Sequence, residues 1–256
     1  MKIERFFPDK MLRPYIESFM IIESDDQVTN RILPEPILTM GFRFKGNTFG
    51  GPSAEEKLPL SSITGVTKTL RLIRYEADSG VLVVRFKEAG ALAFCKEPLN
   101  ELSGLSVNLE EVMDADSIMK TEELLGNAST NAERISIIEN FFLFNLDPSV
   151  FDPRVSAAVN VIKSLNGNLR IKELASNLGT NVNSLEKNFR AQIGVSPKRY
   201  ASISRLKSVI KDYCAEADLT EISYNAGFFD QSHFIKEFRA FTGENPLRFF
   251  RNGLYW

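Results

Sequence analysis

The chain is poor in the residues from which metal sites, disulfides and catalytic centres are built. Its 256 residues include two cysteines and one histidine. Cys95 and Cys214 stand far apart without ligand-like spacing, which argues against a disulfide scaffold or a zinc site and fits a reducing cytoplasm. A single histidine also excludes most triad and metal-centred chemistry. We therefore expect no catalytic residue, no metal, no cofactor and no enzyme activity.

Long hydrophobic runs are missing as well. No apolar stretch reaches the ~18 residues that a membrane span needs. The first ten residues, MKIERFFPDK, lack the uninterrupted apolar core of a signal peptide. Hydrophobic residues make up 43% of the chain and charged residues 25%, which is typical of a soluble globular protein. We expect a cytoplasmic protein without a membrane partner.

The net charge of −2 conceals an asymmetry along the chain. Residues 1–152 hold 16 Lys/Arg and 24 Asp/Glu, a net charge of −8, whereas residues 153–256 hold 15 and 9, a net charge of +6. An acidic front and a basic back suit one domain that repels DNA and one that attracts it. Adjacent domains also differ in charge by chance, so charge alone leaves DNA binding undecided.

The front half has the pattern of a β-rich domain. Residues 31–45 predict one or two strands interrupted by two prolines, which cannot donate to a sheet ladder. Residues 70–75 and 81–86 alternate between apolar and polar, and the Asp-Ser-Gly at 78–80 between them predicts a hairpin. Three arginines on these strands could bind an anionic effector, but a mixed charged surface is the interpretation we prefer: Arg43, Arg71 and Arg85.

From about residue 109 the apolar period becomes helical. Thr130 and Glu133 have the spacing of a capping box, and the helix that they open carries apolar residues on most faces. This helix is either covered by the core, the interpretation we prefer, or forms a dimer seam. Asp152 followed by Pro153 is a good helix start, so we place a domain boundary there, between residues 1–147 and 153–256.

A pattern in the last hundred residues occurs twice. Six positions recur 49 residues later: Leu185, Phe189, Arg190, Gly194, Pro197 and Tyr200 become Phe234, Phe238, Arg239, Gly243, Pro246 and Phe249. Just upstream the offset is 48, and Ile171, Leu174, Leu178 and Gly179 become Leu219, Ile222, Ala226 and Gly227. The chain therefore predicts two copies of one helix-turn-helix unit, the second with one extra residue in its turn.

In each predicted unit the second helix presents polar residues to solvent. In the first unit a helix over 171–178 ends at Gly179, and Asn181 caps a helix over 182–193; in the second, Asp230 caps a helix that runs to about residue 241. Such a helix lies in the DNA major groove, with its exposed N-terminal residues at the base edges. The predicted DNA-binding residues are Asn183, Ser184, Lys187, Arg190, Gln231, Ser232, His233, Lys236 and Arg239.

A long helix is predicted between the two units, over residues 197–215. Its roughly 19 residues would span roughly 28 Å at 1.5 Å per residue. A rod of this size can set two recognition helices about one DNA turn apart, near 34 Å, on one face of the duplex.

The motifs of residues 153–252 resemble the C-terminal DNA-binding domain of AraC/XylS-type bacterial transcriptional regulators. They include LEKNFR at 185–190, GVSP at 194–197, AGF at 226–228 and QSHF at 231–234. The resemblance implies an α+β protein whose all-α C-terminal domain holds two helix-turn-helix units joined by a linker helix. It also implies a transcriptional regulator, more often an activator, that binds double-stranded DNA through successive major grooves.

The front half resembles, more weakly, a poorly characterised β-rich domain with appended helices that is found in some of these regulators. The resemblance implies effector sensing, dimerisation or both. A small-molecule effector, RNA polymerase and a second copy of the chain are therefore candidate partners. Lysine stands at 187 and 236 where the family often has arginine, which leaves base or phosphate contact open there, and Phe229 replaces a small polar residue.

Two other function classes compete with this hypothesis. A DNA-targeted enzyme, such as an alkyl-transfer repair protein, needs an activated cysteine. Cys95 has one lysine beside it and no histidine nearby in sequence, which argues against that class. A ligand-binding or protein-interaction module whose helices do not bind DNA is the third class, and the basic excess of the back half argues against it.

Overall fold

The computed structural model describes residues 1–67, 69–95, 98–148, 152–211, 213 and 219–252. It confirms the predicted α+β class, because an antiparallel β region is followed by a helical region. The strands are β1 (Lys2–Phe6), β2 (Ile16–Ser24), β3 (Val28–Ile32), β4 (Thr39–Lys45), β5 (Thr48–Gly50), β6 (Glu56–Lys57), β7 (Ser61–Thr64), β8 (Arg71–Tyr75), β9 (Ser79–Phe86) and β10 (Ser106–Asn108).

These strands form two antiparallel sheets. The larger has the order β1-β2-β9-β4-β7-β10 and the smaller the order β3-β8-β5-β6. A small apolar cluster takes residues from both sheets: Ile22, Ile73, Tyr75 and Val81. The two prolines at 34 and 36 fall between β3 and β4, so the prediction of two strands broken by proline is confirmed.

The predicted hairpin of residues 70–75 and 81–86 is wrong. Both segments are strands, β8 and β9, but they pair with different partners in different sheets: β8 lies between β3 and β5, and β9 between β2 and β4. Most of the residues of β9 are buried, as expected for a central strand with neighbours on both edges. The turn, with Asp78 at a φ of 57°, carries the chain from one sheet to the other instead of closing a hairpin.

The helices are α1 (Ala115–Asn127), α2 (Asn131–Phe144), α3 (Pro153–Ser164), α4 (Ile171–Asn177), α5 (Val182–Ile193), α6 (Pro197–Lys211), α7 (Leu219–Asn225), α8 (Gln231–Thr242) and α9 (Pro246–Asn252). Among the described residues, no helix combines the length and the apolar composition that crossing a bilayer requires.

Helix α2 packs on the larger sheet. The predicted capping box is confirmed, since the Thr130 hydroxyl accepts from the Glu133 backbone N–H and the Glu133 carboxylate accepts from that of Thr130. Phe142 stacks on Phe19 of β2 with ring centroids 6.3 Å apart. The prediction that the core covers this helix is therefore confirmed for its inner face, while Phe144 at its end is 85% exposed.

The helical region begins as predicted at Pro153, with the Asp152 carboxylate accepting from the Arg154 backbone N–H at 2.8 Å. Helix α6 is shorter than predicted over the described residues: its 15 residues to Lys211 span roughly 22 Å instead of 28 Å. Residues 212 and 214–215, which the prediction included, lie outside the described part of the chain. A single hydrophobic cluster continues from the larger sheet into helices α3 to α9.

Candidate DNA-binding surface

Two helix-turn-helix units stand in the helical region, α4 with α5 and α7 with α8. In the first, the Asn181 side chain caps α5 by accepting from the Ser184 backbone N–H at 2.9 Å. The helix ends at Gly194, whose φ of 90° is the left-handed conformation that favours glycine. Because Leu185 and Phe189 are buried on one face of α5, the opposite face is turned to solvent.

The predicted contact residues of α5 lie on that outer face. Asn183, Lys187 and Arg190 are exposed and Ser184 is half-buried. A guanidinium nitrogen of Arg190 lies 4.0 Å from a carboxylate oxygen of Glu186 one turn earlier. This pair partly neutralises Arg190, whereas the described structure records no ion pair for Lys187 within 4.0 Å.

Helix α8 repeats this arrangement in the second unit. The Asp230 carboxylate accepts from the His233 backbone N–H at 2.7 Å, and Gly243 ends the helix with a φ of 77°. All five predicted contact residues of α8 lie on its outer face. Gln231 is half-buried, and four are exposed: Ser232, His233, Lys236 and Arg239. A shallow groove on this face is lined by Ser232, Ile235, Lys236, Arg239 and Ala240.

His233 is engaged from two sides. Its Nε2 lies 3.3 Å from a Glu237 carboxylate oxygen, and its ring meets the edge of Phe228 at a centroid distance of 5.7 Å. Both contacts orient the ring along the outer face of α8. Among the described residues no group of three His, Cys, Asp or Glu side chains is arranged to hold a metal ion.

Because the second turn has one extra residue, its two adjacent phenylalanines lie in different surroundings. Phe228 is 5% exposed, packs edge-on against Phe234 with centroids 5.2 Å apart, and lies under the Arg205 guanidinium, 5.0 Å from the ring centroid. Phe229 is 92% exposed and directly precedes Asp230, the cap of α8. Phe229 was not among the contact residues predicted from the sequence, although the longer turn was the signal that one residue there would be displaced from the core.

The arginines of the β region have partners within the chain. Arg85 binds carboxylate oxygens of Glu17 at 3.1 Å and of Glu35 at 2.6 Å, and Arg71 donates to the Ser106 hydroxyl at 2.8 Å. Burial lowers the pKa of Arg71. Arg43 donates to the Gly46 carbonyl and to the Asn47 side chain. The two ion pairs of Arg85 favour the mixed charged surface for that residue, whereas the partners of Arg71 and Arg43 are uncharged groups.

Cys95 lacks the surroundings of a reactive thiol. It is 3% exposed, and burial raises its pKa to about 12. A nucleophilic cysteine needs the opposite, a lowered pKa and solvent access. Cys214 lies outside the described residues.

Two family models match separate parts of the chain. Residues 174–252 match the family described as a helix-turn-helix domain, and residues 4–108 match a domain of unknown function, DUF6597. The Msm operon regulatory protein of Streptococcus mutans is 30% identical over 122 residues, which are 44% of this chain and 42% of that protein. The Probable thc operon regulatory protein of Rhodococcus erythropolis is 30% identical over 82 residues, 30% of this chain and 25% of that protein.

The chain thus aligns with less than half the length of these curated relatives. Among solved structures, ToxT from Vibrio cholerae O395 is similar over 92% of this chain and 98% of its own, at 14% identity and a TM-score of 0.47.

Proposed function

We propose that the chain is an AraC-type helix-turn-helix regulator, with a domain of unknown function in front, which binds DNA sequence-specifically and regulates transcription. One observation carries the proposal: α5 and α8 occupy equivalent places in two units, and each turns a capped N-terminus with polar, exposed residues away from the core. If α5 and α8 served only to support the core, packing would not require the same polar, exposed face on both helices.

The roles of the contact residues follow from their chemistry. Near the helix N-termini, amide, hydroxyl and imidazole groups can exchange hydrogen bonds with base edges in the major groove; they belong to Asn183, Ser184, Gln231, Ser232 and His233. One or more turns later, positive charges are suited to phosphates or to guanine; they belong to Lys187, Arg190, Lys236 and Arg239.

The finer parts of the proposal concern regulation. We propose that the protein is an activator that contacts RNA polymerase, and that residues 1–147 form a domain that senses a small-molecule effector, dimerises, or does both, ahead of a DNA-binding domain at 153–256. The apolar end of α2 supports a second copy of the chain as partner, because Phe144 is exposed to solvent there. A regulator of this kind acts where the bacterial chromosome is, so the proposal includes a cytoplasmic location.

The proposal is tested with the full chain and a pool of random DNA duplexes. Repeated selection should enrich two half-sites about 10 base pairs apart, one for each recognition helix. Fluorescence anisotropy at two salt concentrations should then show tighter binding to the selected duplex than to its scrambled sequence, with the preference retained at the higher salt. Absence of enrichment, or equal binding to both duplexes, would contradict sequence-specific recognition.

A further inference from the structure

The ends of both recognition helices lie close to the β region at the same loop. A Cβ atom placed on Gly194, the glycine that ends α5, would lie 3.6 Å from a Val66 methyl group and 3.2 Å from the Leu99 carbonyl oxygen. A Cβ atom on Gly243, the glycine that ends α8, would lie 3.7 Å from a Leu70 methyl group. These glycines are equivalent positions of the repeat, 49 residues apart, and Val66 and Leu70 both belong to the connection between β7 and β8.

The start of this connection is held firmly in the β region. The Gly65 backbone N–H donates to the Leu105 carbonyl at 3.1 Å, and the Val66 carbonyl accepts from the Gly104 backbone N–H at 3.0 Å. The approach to Leu102 is so close that a Cβ on Gly65 would stand 1.9 Å from its carbonyl oxygen. Because Val66 is also completely buried, the surface that meets α5 cannot shift without moving the turn at residues 102–105 to which it is bonded.

One further contact holds the end of α8 against the β region, and another ties α5 to the start of the helical region. At α8, a guanidinium nitrogen of Arg31 on β3 lies 2.6 Å from a carboxylate oxygen of Glu244, which directly follows Gly243. At α5, Asn188 donates to the Asp152 carboxylate at 2.9 Å, at the point where the chain enters the helical region. Each recognition helix is therefore fixed at its C-terminal half, while its N-terminal half stays exposed.

We propose that Val66 and Leu70 are positioning residues, which hold α5 and α8 at one separation and thereby set the half-site spacing that the protein accepts on DNA. The part about spacing rests on the proposed DNA-binding function. Within the helical region, α6 and the residues that follow it join the two units along the chain. The connection between β7 and β8 comes close to the end of the second helix of each unit, which would let the β region transmit its own conformation to both helices at once.

The separation can be measured without DNA by double electron–electron resonance on the full chain. Spin labels are placed on the outer faces through Asn183→Cys in α5 and Ser232→Cys in α8, in a Cys214→Ser background. Cys95 should stay unlabelled, because it is 3% exposed and its thiol has a pKa of about 12. The test variant is Leu70→Asp, since Leu70 is only half-buried, unlike Val66.

The matched control is Leu58→Asp, because Leu58 is equally half-buried but packs in the small cluster between the two sheets. We expect a single narrow distance distribution in the labelled parent and in the control, and a broader or shifted one with Leu70→Asp. An unchanged distribution with Leu70→Asp, or equal broadening in both variants, would overturn the proposal.

A second measurement addresses spacing on DNA. On selected duplexes with one base pair inserted or removed between the half-sites, the parent should lose affinity and Leu70→Asp should lose less. Identical spacing profiles for the two proteins would overturn the link to DNA recognition. If the chain proves not to bind DNA specifically, the distance distribution still tests the positioning role, so the two failures are distinguishable.

Discussion

At the scale of single residues, the two recognition helices differ most in what stands before their caps. In the first unit the cap Asn181 follows Thr180, which is half-buried. In the second unit the cap Asp230 follows Phe229, which is almost fully exposed. Exposure of a phenylalanine forgoes roughly 1.5–3 kcal/mol that burial would contribute. The neighbouring Phe228 already fills the core position, so the fold does not account for Phe229, whereas apolar contact with a thymine methyl group would.

Phe229→Ser should therefore leave stability almost unchanged and relax the preference for thymine at one operator position. Loss of one specific base contact costs about 1–3 kcal/mol of discrimination. Anisotropy titrations on duplexes that carry each of the four base pairs at that position would measure it. Phe228→Ser is the contrasting variant, since removal of a buried phenylalanine costs about 3–5 kcal/mol of folding stability. Unaltered base preference in Phe229→Ser would remove Phe229 from the contact set.

Lys236 allows base and phosphate contact to be told apart. If it binds a phosphate, Lys236→Ala should weaken binding to all sequences and reduce the slope of log affinity against log salt by about one. If it binds a base, the slope should stay and discrimination at one position should fall by about 1–3 kcal/mol. The control is Lys120→Ala, because Lys120 is an exposed lysine on α1, outside the two helix-turn-helix units. If the salt slope and the base preference of Lys236→Ala both match those of the parent, Lys236 contacts neither a phosphate nor a base.

At the scale of elements, each recognition helix depends on one side chain at its N-terminus. The Asp230 carboxylate satisfies a backbone donor of α8 that no helical carbonyl can reach. Asp230→Ala should lower the free energy of unfolding by about 1 kcal/mol and weaken DNA binding through fraying of the first turn. Asp230→Asn keeps a capping oxygen and removes a negative charge near DNA, so it should retain stability and bind more tightly.

Urea unfolding and DNA titration of these two variants against the parent separate capping from charge. Equal stability of Asp230→Ala and the parent would show that tertiary packing alone maintains the helix. Because Asn181 caps α5 in the same way, Asn181→Ala should give a loss of similar size in the first unit.

The elements also show what could be predicted from the sequence. Caps, turn glycines and the tandem repeat depend on residues a few positions apart, and these predictions agree with the described helices of both units to within a residue or two. Strand pairing depends on residues far apart, and there the local pattern misled. Residues 70–75 and 81–86 were correctly predicted to form strands, but a short connection between two strands does not determine which sheet each one joins.

At the scale of the whole molecule, ion pairs between the β region and the helices were beyond prediction for the same reason. Glu35 lies between two prolines in sequence, where the simplest interpretation is a turn. In the structure its carboxylate oxygens lie 2.6 Å from an Arg85 nitrogen and 2.5 Å from Lys207 Nζ on α6. Glu88 likewise binds Lys163 at 2.9 Å and accepts from the Tyr200 hydroxyl at 3.0 Å. Only the packed molecule brings these residues together.

These contacts make the association of the two regions dependent on pH. Burial raises the pKa of Glu35, but Lys207 and Arg85 outweigh it, so the pKa of Glu35 lies below its ordinary value of 4.5. Burial also raises the pKa of Glu88, and the hydrogen bond from Lys163 is the main influence that brings it below 4.5. A carboxyl group whose pKa is lowered by folding stabilises the folded state above its unfolded pKa, and this stabilisation is lost as the pH falls through the folded value.

We therefore expect the domain contact to be fully stabilised at neutral pH and to weaken progressively below about pH 4.5. Glu35→Gln should lower the free energy of unfolding by about 1 kcal/mol at pH 7, a modest value because Lys207 is 45% exposed. The difference from the parent should shrink as the solution is acidified, since the parent then loses the same charge. Urea unfolding of both proteins between neutral and acid pH measures this, with Glu111→Gln, an exposed carboxylate beside α1, as control. A Glu35→Gln deficit that stays constant with pH would mean that side-chain packing, and not the charge of Glu35, holds α6 against the β region.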